Sequence, residues 1–251
     1  MSDKITFMVQ ARVGSTRLPN KILLPFYNGK CILELLIEKL KQVENTDIVI
    51  ATSVDPRNEA IEEVTREMGV TCFHGSESDV LQRFIDAAEH VSAIKLIRIC
   101  SDNPFLELDS IKKLVLTAQD SDKDYISFNI NGKPSIKTHY GFWTEYVTLD
   151  ALKKVKSLTK EPLFHEHVTN YIYAHPETFD IGWINGPKIL DSHPYIRLTT
   201  DTKEDFATVQ KIYSALCANN PYPTIQEIVT YLDAHKEFYS LMEQQIEENS
   251  K

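Results

Sequence analysis

The stretch Gln10-Ala11-Arg12-Val13-Gly14-Ser15-Thr16-Arg17-Leu18-Pro19-Asn20-Lys21 follows directly on an apolar run at residues 5–9. That run, Ile-Thr-Phe-Met-Val, reads as a buried first strand of a parallel sheet. Loops at the carboxyl ends of parallel strands are where open α/β sheets bind ligands. This loop is equipped for phosphate. Gly14 lets the backbone approach closely, so that successive N–H groups can form an anion-binding concavity. Arg12, Arg17 and Lys21 add charge-assisted donors for phosphate oxygens. The spacing G-x-x-x-x-G-K-[ST] is missing, and so is G-x-G-x-x-G, which excludes a P-loop and the usual dinucleotide fingerprint.

Outward from the loop, short apolar strands alternate with amphipathic helical patterns. Helices are expected at 32–40, 58–68 (closed by Gly69), 79–91 and 108–119, and strands at 47–52, 70–73 and 93–100. This rhythm predicts an α/β fold with a doubly wound, mostly parallel sheet and right-handed crossovers. From Asp124 the rhythm changes. Strands are expected at 125–129, 142–148 and 179–185, a turn at 131–134, and helices at 150–158 and 162–173. Such an interruption fits a small inserted extension over the mouth of a site. A strand at 195–200 and two helices, 203–219 and 224–247, complete the pattern. The last helix is expected to pack on its own domain or on a second subunit, as in a homodimer.

A chain of 251 residues can bury a full core, and we read it as one domain over 1–251. Its formal charge of −9 argues against a general nucleic-acid binder, which needs a basic face. No apolar run reaches the length of a membrane span, and the N-terminus enters a strand at once instead of a signal peptide. Cys31, Cys72, Cys100 and Cys217 form no C-x-x-C pair, so reduced cysteines in a cytoplasmic protein are expected.

Two acidic segments fall at the ends of expected strands, where they can converge. Asp102 stands in Arg-Ile-Cys-Ser-Asp-Asn-Pro (98–104), and Asp201 in Arg-Leu-Thr-Thr-Asp-Thr-Lys-Glu-Asp-Phe (197–206). Taken singly, they also fit an Asx-turn and a helix N-cap. In Gly-Ser-Glu-Ser-Asp-Val-Leu-Gln-Arg-Phe (75–84), Asp79 suits an N-cap. Arg83, one turn later, suits either an ion pair with it or a reach toward a nucleotide. Two further clusters are His-Tyr-Gly-Phe-Trp-Thr-Glu (139–145) and Phe-His-Glu-His-Val-Thr-Asn-Tyr-Ile (164–172). Their His139, His165, His167, Glu145 and Glu166 can bind an anionic acceptor or serve as general base, with Tyr140 beside them. The spacing of His165 and His167 is not the i,i+4 of a helical zinc pair, so zinc is not expected.

In order along the chain, these segments resemble the motifs of the cytidylyltransferases that activate sugars. The nearest match is the spore-coat polysaccharide (SpsF-like) branch, related to the CMP-Kdo and acylneuraminate cytidylyltransferases. Residues 10–21 resemble Q-A-R-x-G-S-T-R-L-P-x-K, and residues 75–84 resemble G-x-x-x-D-V-L-x-R-[FY]. Residues 101–104 resemble G-D-x-P, with Ser101 in place of the usual Gly, and residues 200–206 resemble x-D-T-x-E-D-[FL]. Residues 139–145 resemble P-x-G-x-x-x-E with His139-Tyr140 where proline is common, and residues 165–172 resemble R-E-H-V-T-x-Y-I with His165 for Arg.

The resemblance spans residues 5–216 and implies a GT-A-like nucleotide-diphospho-sugar transferase fold. It also implies Mg²⁺ on Asp102 and Asp201, and catalytic roles for Arg12, Lys21 and Asp102. The nucleotide would be held by Gln10, Ala11, Arg12, Gly14, Ser15, Arg17, Lys21, His74, Asp79 and Arg83, with cytosine read near His74. The acceptor would meet His139, Tyr140, Glu145, His165, Glu166 and His167 in an insertion over 124–194 that also serves dimerisation, with 224–251 as the C-terminal helix. The expected reaction joins CMP from CTP to a small-molecule acceptor, with release of pyrophosphate. That acceptor is a precursor of surface polysaccharide or capsule, either a sugar acid or a phosphorylated small molecule. Two other classes share parts of the pattern. One is a glycosyltransferase with a D-x-D site at Asp120-Ser121-Asp122, and the other a non-catalytic nucleotide-binding regulator.

Overall fold

A computed structural model describes residues 2–249. In chain order the strands are β1 (Ser2–Gln10), β2 (Pro25–Tyr27), β3 (Lys30–Cys31), β4 (Thr46–Ser53), β5 (Thr71–Gly75), β6 (Ala93–Cys100), β7 (Tyr125–Ile130), β8 (Lys133–Pro134), β9 (Glu145–Thr148) and β10 (Ile181–Asn185). The helices are α1 (Ile32–Leu40), α2 (Glu59–Glu67), α3 (Val80–His90), α4 (Leu108–Gln119), α5 (Leu149–Leu158), α6 (Pro162–Glu166), α7 (Asn170–Ala174), α8 (Lys203–Cys217), α9 (Ile225–Ala234) and α10 (Glu237–Asn249).

The main sheet runs β10-β7-β9-β6-β1-β4-β5, with β8 paired to β7. Strands β5, β4, β1 and β6 are mutually parallel. Strand β9 is antiparallel to both β6 and β7, and β10 returns parallel to β7. The inserted strands therefore continue the main sheet. Apolar residues alternate between two cores, as expected for strands covered on both faces. Phe7, Val9, Ile50, Ile97 and Ile99 enter one core with α1, α4, α8 and α9. Met8, Val49, Ala51 and Leu96 enter the other with α3 and α5.

Register places the site. Gln10 lies beside Cys100, so the loops leaving β1 and β6 emerge side by side. Helix α8 is begun by Thr202, whose hydroxyl accepts the Asp205 N–H while the Asp205 carboxylate accepts the Thr202 N–H, a capping box. Asp79 caps α3, accepting the Gln82 N–H at 2.9 Å.

The structure departs from the sequence reading where tertiary contacts override local pattern. Residues 195–200 form no ladder; the Leu198 and Thr200 N–H groups instead donate to the carbonyls of His139 and Asp102, two separate loops. The single helix expected at 162–173 breaks into α6 and α7. Val168 (φ 21°) turns into the core there, and the Thr169 hydroxyl donates to the buried Glu145. The helix expected at 224–247 breaks at His235 into α9 and α10, which lets Phe238 and Met242 bury on the same domain. Residues 250–251 of the expected C-terminal segment lie outside the described residues. Strand β9 begins at Glu145 instead of residue 142, because Phe142 and Trp143 pack as rings in an irregular loop. The β2–β3 hairpin was not anticipated; its two strands are too short to show a period. Gly141 sits in that irregular loop at φ +71°, and a Cβ there would lie 3.1 Å from the Leu198 carbonyl group, so glycine is required by both backbone and space.

Lys39 is the unusual charge of the core. It is 3% exposed on the apolar face of α1, and its ammonium donates to the carbonyls of Pro104 and Leu106 at 2.9 and 2.6 Å. Those bonds tie the segment after Asp102 to the core. Burial pulls the Lys39 ammonium down to about 8. Above that value the folded chain has released a proton that the unfolded chain, near ~10.4, still holds. Stability from this residue therefore rises with pH. Denaturant titrations should show wild type gaining on Lys39→Met from about pH 8 to pH 10. A gap independent of pH would contradict the assignment.

Candidate active site

The loop after β1 curls around one carbonyl. Val13 O accepts the N–H groups of Ser15 (2.8 Å) and Asn20 (3.0 Å), while Val13 N–H donates to the buried Asn58 amide (3.0 Å). Asn20 takes a positive φ of 59° to close the turn. The N–H groups of Gly14, Thr16 and Arg17 are left without a hydrogen-bond partner among the described residues. Thr16 and Arg17 are successive, and successive free N–H groups can form an anion-binding concavity. Ser101 fixes the neighbouring loop, its N–H and hydroxyl both donating to Gln10 O, at 3.3 and 2.7 Å.

Asp102 and Asp201 converge. Lys21, 9% exposed, donates to Asp102 Oδ2 and to the Thr200 carbonyl, both at 2.7 Å, and lies 3.6 Å from Asp201 Oδ1. Arg17 pairs with Asp201 Oδ1 at 3.0 Å and also donates to Asn249 of α10. Arg197 holds Asp205 through two bonds of 2.8 Å and reaches Asp201 Oδ2 at 3.2 Å. Burial alone would push the Asp201 carboxyl up. Lys21, Arg17 and Arg197 together outweigh it and hold that carboxyl below the ordinary aspartate range.

Asp102 and Asp201 line one cavity of about 500 Å³, with Gln10, Arg12, Gly14, Ser15, Arg17 and Lys21 on the loop side. Glu166 and His167 close it from the insertion, and Arg12 stands 4.0 Å from Glu166. Ala11 is buried, donates its N–H to the Ala51 carbonyl and does not line the cavity. Among the described residues no three His, Cys, Asp or Glu gather as a metal cluster. Asp102 and Asp201 are two carboxylates that could hold a cation whose other ligands come from substrate phosphate and water.

Other sequence-predicted residues do not line this cavity. Glu145 is buried, with its carboxylate bonded to Arg98 (2.8 Å), Tyr125 and Thr169, so it ties strands together. Tyr140 is packed against Phe142 and Trp143 and donates to the Leu190 carbonyl. His165 bridges Asp79 (2.8 Å) and the Thr159 carbonyl (3.1 Å), with Lys156 also on Asp79. Asp79 thus pairs with Lys156 and His165, and the expected ion pair with Arg83 is not formed. His139 Nδ1 accepts from Arg197 at 2.8 Å, and burial followed by the Arg197 charge lowers its pKa. His74 contacts Glu62 at 3.2 Å on the edge strand β5. Arg83 is fully buried, with one donor on the Ser76 carbonyl, and its Nε and Nη2 lack partners among the described residues. Burial, and then the Arg12 charge, lower it to about 10. Asp120 and Asp122 lie beyond α4 and outside the cavity.

Sequence reasoning missed Arg197 and Asp205 as a pair, although both sat in the quoted Asp201 segment at i and i+8. It also missed Arg98, which reaches both Glu145 and the Gln10 side chain (3.2 Å) from the middle of β6. An arginine set between Ile97 and Ile99, at the apolar end of the strand, was the available signal.

The chain is similar to known proteins over nearly its whole length. The model of the family described as cytidylyltransferase matches residues 6–248. An uncharacterized protein of Methanocaldococcus jannaschii is 36% identical over 95% of this chain and 94% of its own length. The spore coat polysaccharide biosynthesis protein SpsF of Bacillus subtilis is 31% identical over 93% and 95%. Among solved structures, a cytidylyltransferase from Leptospira borgpetersenii superposes with a TM-score of 0.81 at 24% identity, covering 94% of this chain and 96% of that one. A CMP:2-keto-3-deoxy-manno-octonic acid synthetase complexed with CTP gives 0.63 at 16%, covering 86% and 99%. Fold, loop and family match converge, and the chain belongs to the cytidylyltransferase family, as a CTP-dependent nucleotidyltransferase.

Proposed function

We propose that this enzyme transfers CMP from CTP to a hydroxyl-bearing precursor of surface polysaccharide, with Mg²⁺ as the metal and pyrophosphate as the second product. The observation that carries the reading is the convergence of Lys21, Asp102 and Asp201 beneath a loop with unpaired N–H groups. In this reading the acceptor oxygen bonds to the α-phosphorus, and the bond from that phosphorus to the bridging oxygen breaks. Pyrophosphate leaves with the electron pair, and the acceptor's proton is lost to water.

The chain's own groups divide the work. The N–H groups of Gly14, Thr16 and Arg17, with the side chains of Arg12, Arg17 and Lys21, hold the triphosphate by charge-assisted bonds. Phosphate then substitutes for carboxylate on Arg17 and Lys21. Asp102 and Asp201 are the residues that would hold the divalent cation, which supplies charge neutralisation at the phosphates. Thr200 keeps the two aspartate segments together, its N–H and hydroxyl both donating to Asp102 O at 3.1 and 2.7 Å.

Asp102→Asn and Asp201→Asn should each lower pyrophosphate release from CTP by about 10²-fold or more while the far-ultraviolet spectrum stays native. Either variant working at near-normal rate would refute the assignment. Lys21→Met leaves the two aspartates facing each other, so a raised metal requirement and a loss of about 10²-fold in kcat/KM are expected. Chelation should stop turnover, and Mg²⁺ should restore it. A chain that binds CTP yet releases no pyrophosphate with any acceptor would instead be a nucleotide-binding regulator.

A further inference from the structure

His165 stands one residue before Glu166 and His167, the pair that closes the cavity from the insertion, and does not line that cavity itself. Its ring is 8% exposed, and both ring nitrogens face acceptors. Nδ1 lies 2.8 Å from Asp79 Oδ2, and Nε2 lies 3.1 Å from the Thr159 carbonyl. A carbonyl oxygen only accepts, and so does an ionised carboxylate. Burial would push the Asp79 carboxyl up, but Lys156, the Gln82 N–H and His165 outweigh it and hold it below the ordinary aspartate range. A neutral imidazole has one N–H and can serve one of the two partners, whereas the imidazolium serves both. The arrangement therefore belongs to the charged ring.

The neutral ring has a different arrangement at hand. With its one hydrogen kept on the Thr159 carbonyl, Nδ1 presents a lone pair, and the Lys156 ammonium stands 3.4 Å away to donate to it. Asp79 then meets that lone pair at 2.8 Å, where the two repel, so the ring and the start of α3 must part. Asp79 and Lys156, from α3 and α5, touch the ring; Glu161, Glu166 and His167 share its own segment, and Lys160 is turned to the Lys156 carbonyl.

The corner that His165 fastens bears on the nucleotide loop. Glu166 stands 4.0 Å from Arg12, while the Arg83 charge of α3 lies close enough to Arg12 for the two guanidinium groups to oppose each other. Arg12 is thus placed by an attraction from α6 and a repulsion from α3. If α6 shifts, the attraction goes and the repulsion stays.

We infer that His165 is a positioning residue: as an imidazolium it fastens α6 to the cap of α3, holds Glu166 beside Arg12, and so makes triphosphate binding weaken as pH rises. Arginine stands at this position in the motif that residues 165–172 resemble, and it keeps its charge throughout the range in which histidine titrates. The inference rests on the reading that Arg12 holds the triphosphate, and on the contacts of His165 for its pH sense.

Nitrogen-15 NMR of the histidine-labelled full chain tests the ring directly, its His165 signals being those lost in His165→Arg. Both nitrogens should resonate as protonated at about pH 6, and one should not at about pH 9. Calorimetry of CTP binding with Mg²⁺ tests the consequence. Wild type should match His165→Arg within about twofold at the lower pH and bind about fivefold or more weakly than it at the higher. Groups that titrate in both chains, Lys39 among them, cancel in that ratio. His165→Leu should show the weaker affinity at both pH values. If melting temperatures reveal a misfolded His165→Arg, wild type against His165→Leu decides, with affinities that differ at the lower pH and converge at the higher. An unprotonated ring nitrogen at the lower pH, or a ratio that does not change with pH, would overturn the inference. Failure of the underlying reading is distinct: Arg12→Met would then bind CTP as wild type does, and the link from this corner to the nucleotide would fall with it.

Discussion

The ammonium of Lys21 is the constraint on which the site depends. It is nearly buried, and it is held by a carboxylate from the loop after β6, a second carboxylate before α8, and the carbonyl of Thr200. A lysine in that position without such partners would resist burial. Conversely, Asp102 and Asp201 come from segments about a hundred residues apart, and without a shared cation they would repel. Arg17 and Arg197 extend the same logic, and Asp205 balances Arg197. The result is a pre-assembled array of alternating charge in a chain whose net charge is −9. Such an array is costly to build from isolated ions, but each ion here is hydrogen-bonded, which is the condition under which buried pairs persist.

A second buried pair fixes the frame around the first. Arg98 and Glu145 join β6 to β9, where the sheet changes from parallel to antiparallel. Glu145 also receives Tyr125 of β7 and Thr169 before α7, and Arg98 touches the Gln10 side chain at the end of β1. One ion pair therefore ties the nucleotide loop, the inserted strands and the Glu166–His167 corner to each other. This is why Glu145, read from sequence as an acceptor contact, is absent from the cavity wall: its oxygens are spent on the frame.

The distinction shows what could be read from residues alone. Strands β1, β4 and β6 are apolar on both faces and bounded by turns, so period and length located them, and the loop after β1 followed from its composition. The aspartates were legible because each stood in a short polar segment, Asp102 after β6 and Asp201 before α8, although the strand expected ahead of Asp201 does not form. What was not legible depended on partners distant in sequence. Nothing near position 39 distinguishes a lysine buried on two carbonyls from one at the solvent side of α1. The residues at 195–200 have the β-branched and aromatic content of a strand, yet their N–H groups found loop carbonyls instead of a ladder. The histidines suffered most. His139, His165 and His167 were grouped because they shared a chemistry, whereas the fold places His139 on Arg197 and His165 on Asp79, and only His167 at the cavity.

That scattering bears on how the donor and acceptor halves are divided. The donor half is built from parallel strands whose carboxyl ends share one edge, so its residues are fixed by backbone register. Gln10 beside Cys100 is enough to bring the two loops together. The irregular loop 135–143, on the other side, is pinned by Gly141 against the Leu198 backbone and by packed rings instead of by a ladder. Side chains in such a loop can be exchanged without altering the register of the sheet, provided Gly141 and the Arg98–Glu145 pair are kept. One sheet frame can then carry different walls beside the same parallel edge. Register tolerates little on the parallel side, yet Ser101 stands there with its N–H and hydroxyl both on the Gln10 carbonyl, so that position too is filled by a residue that serves the frame.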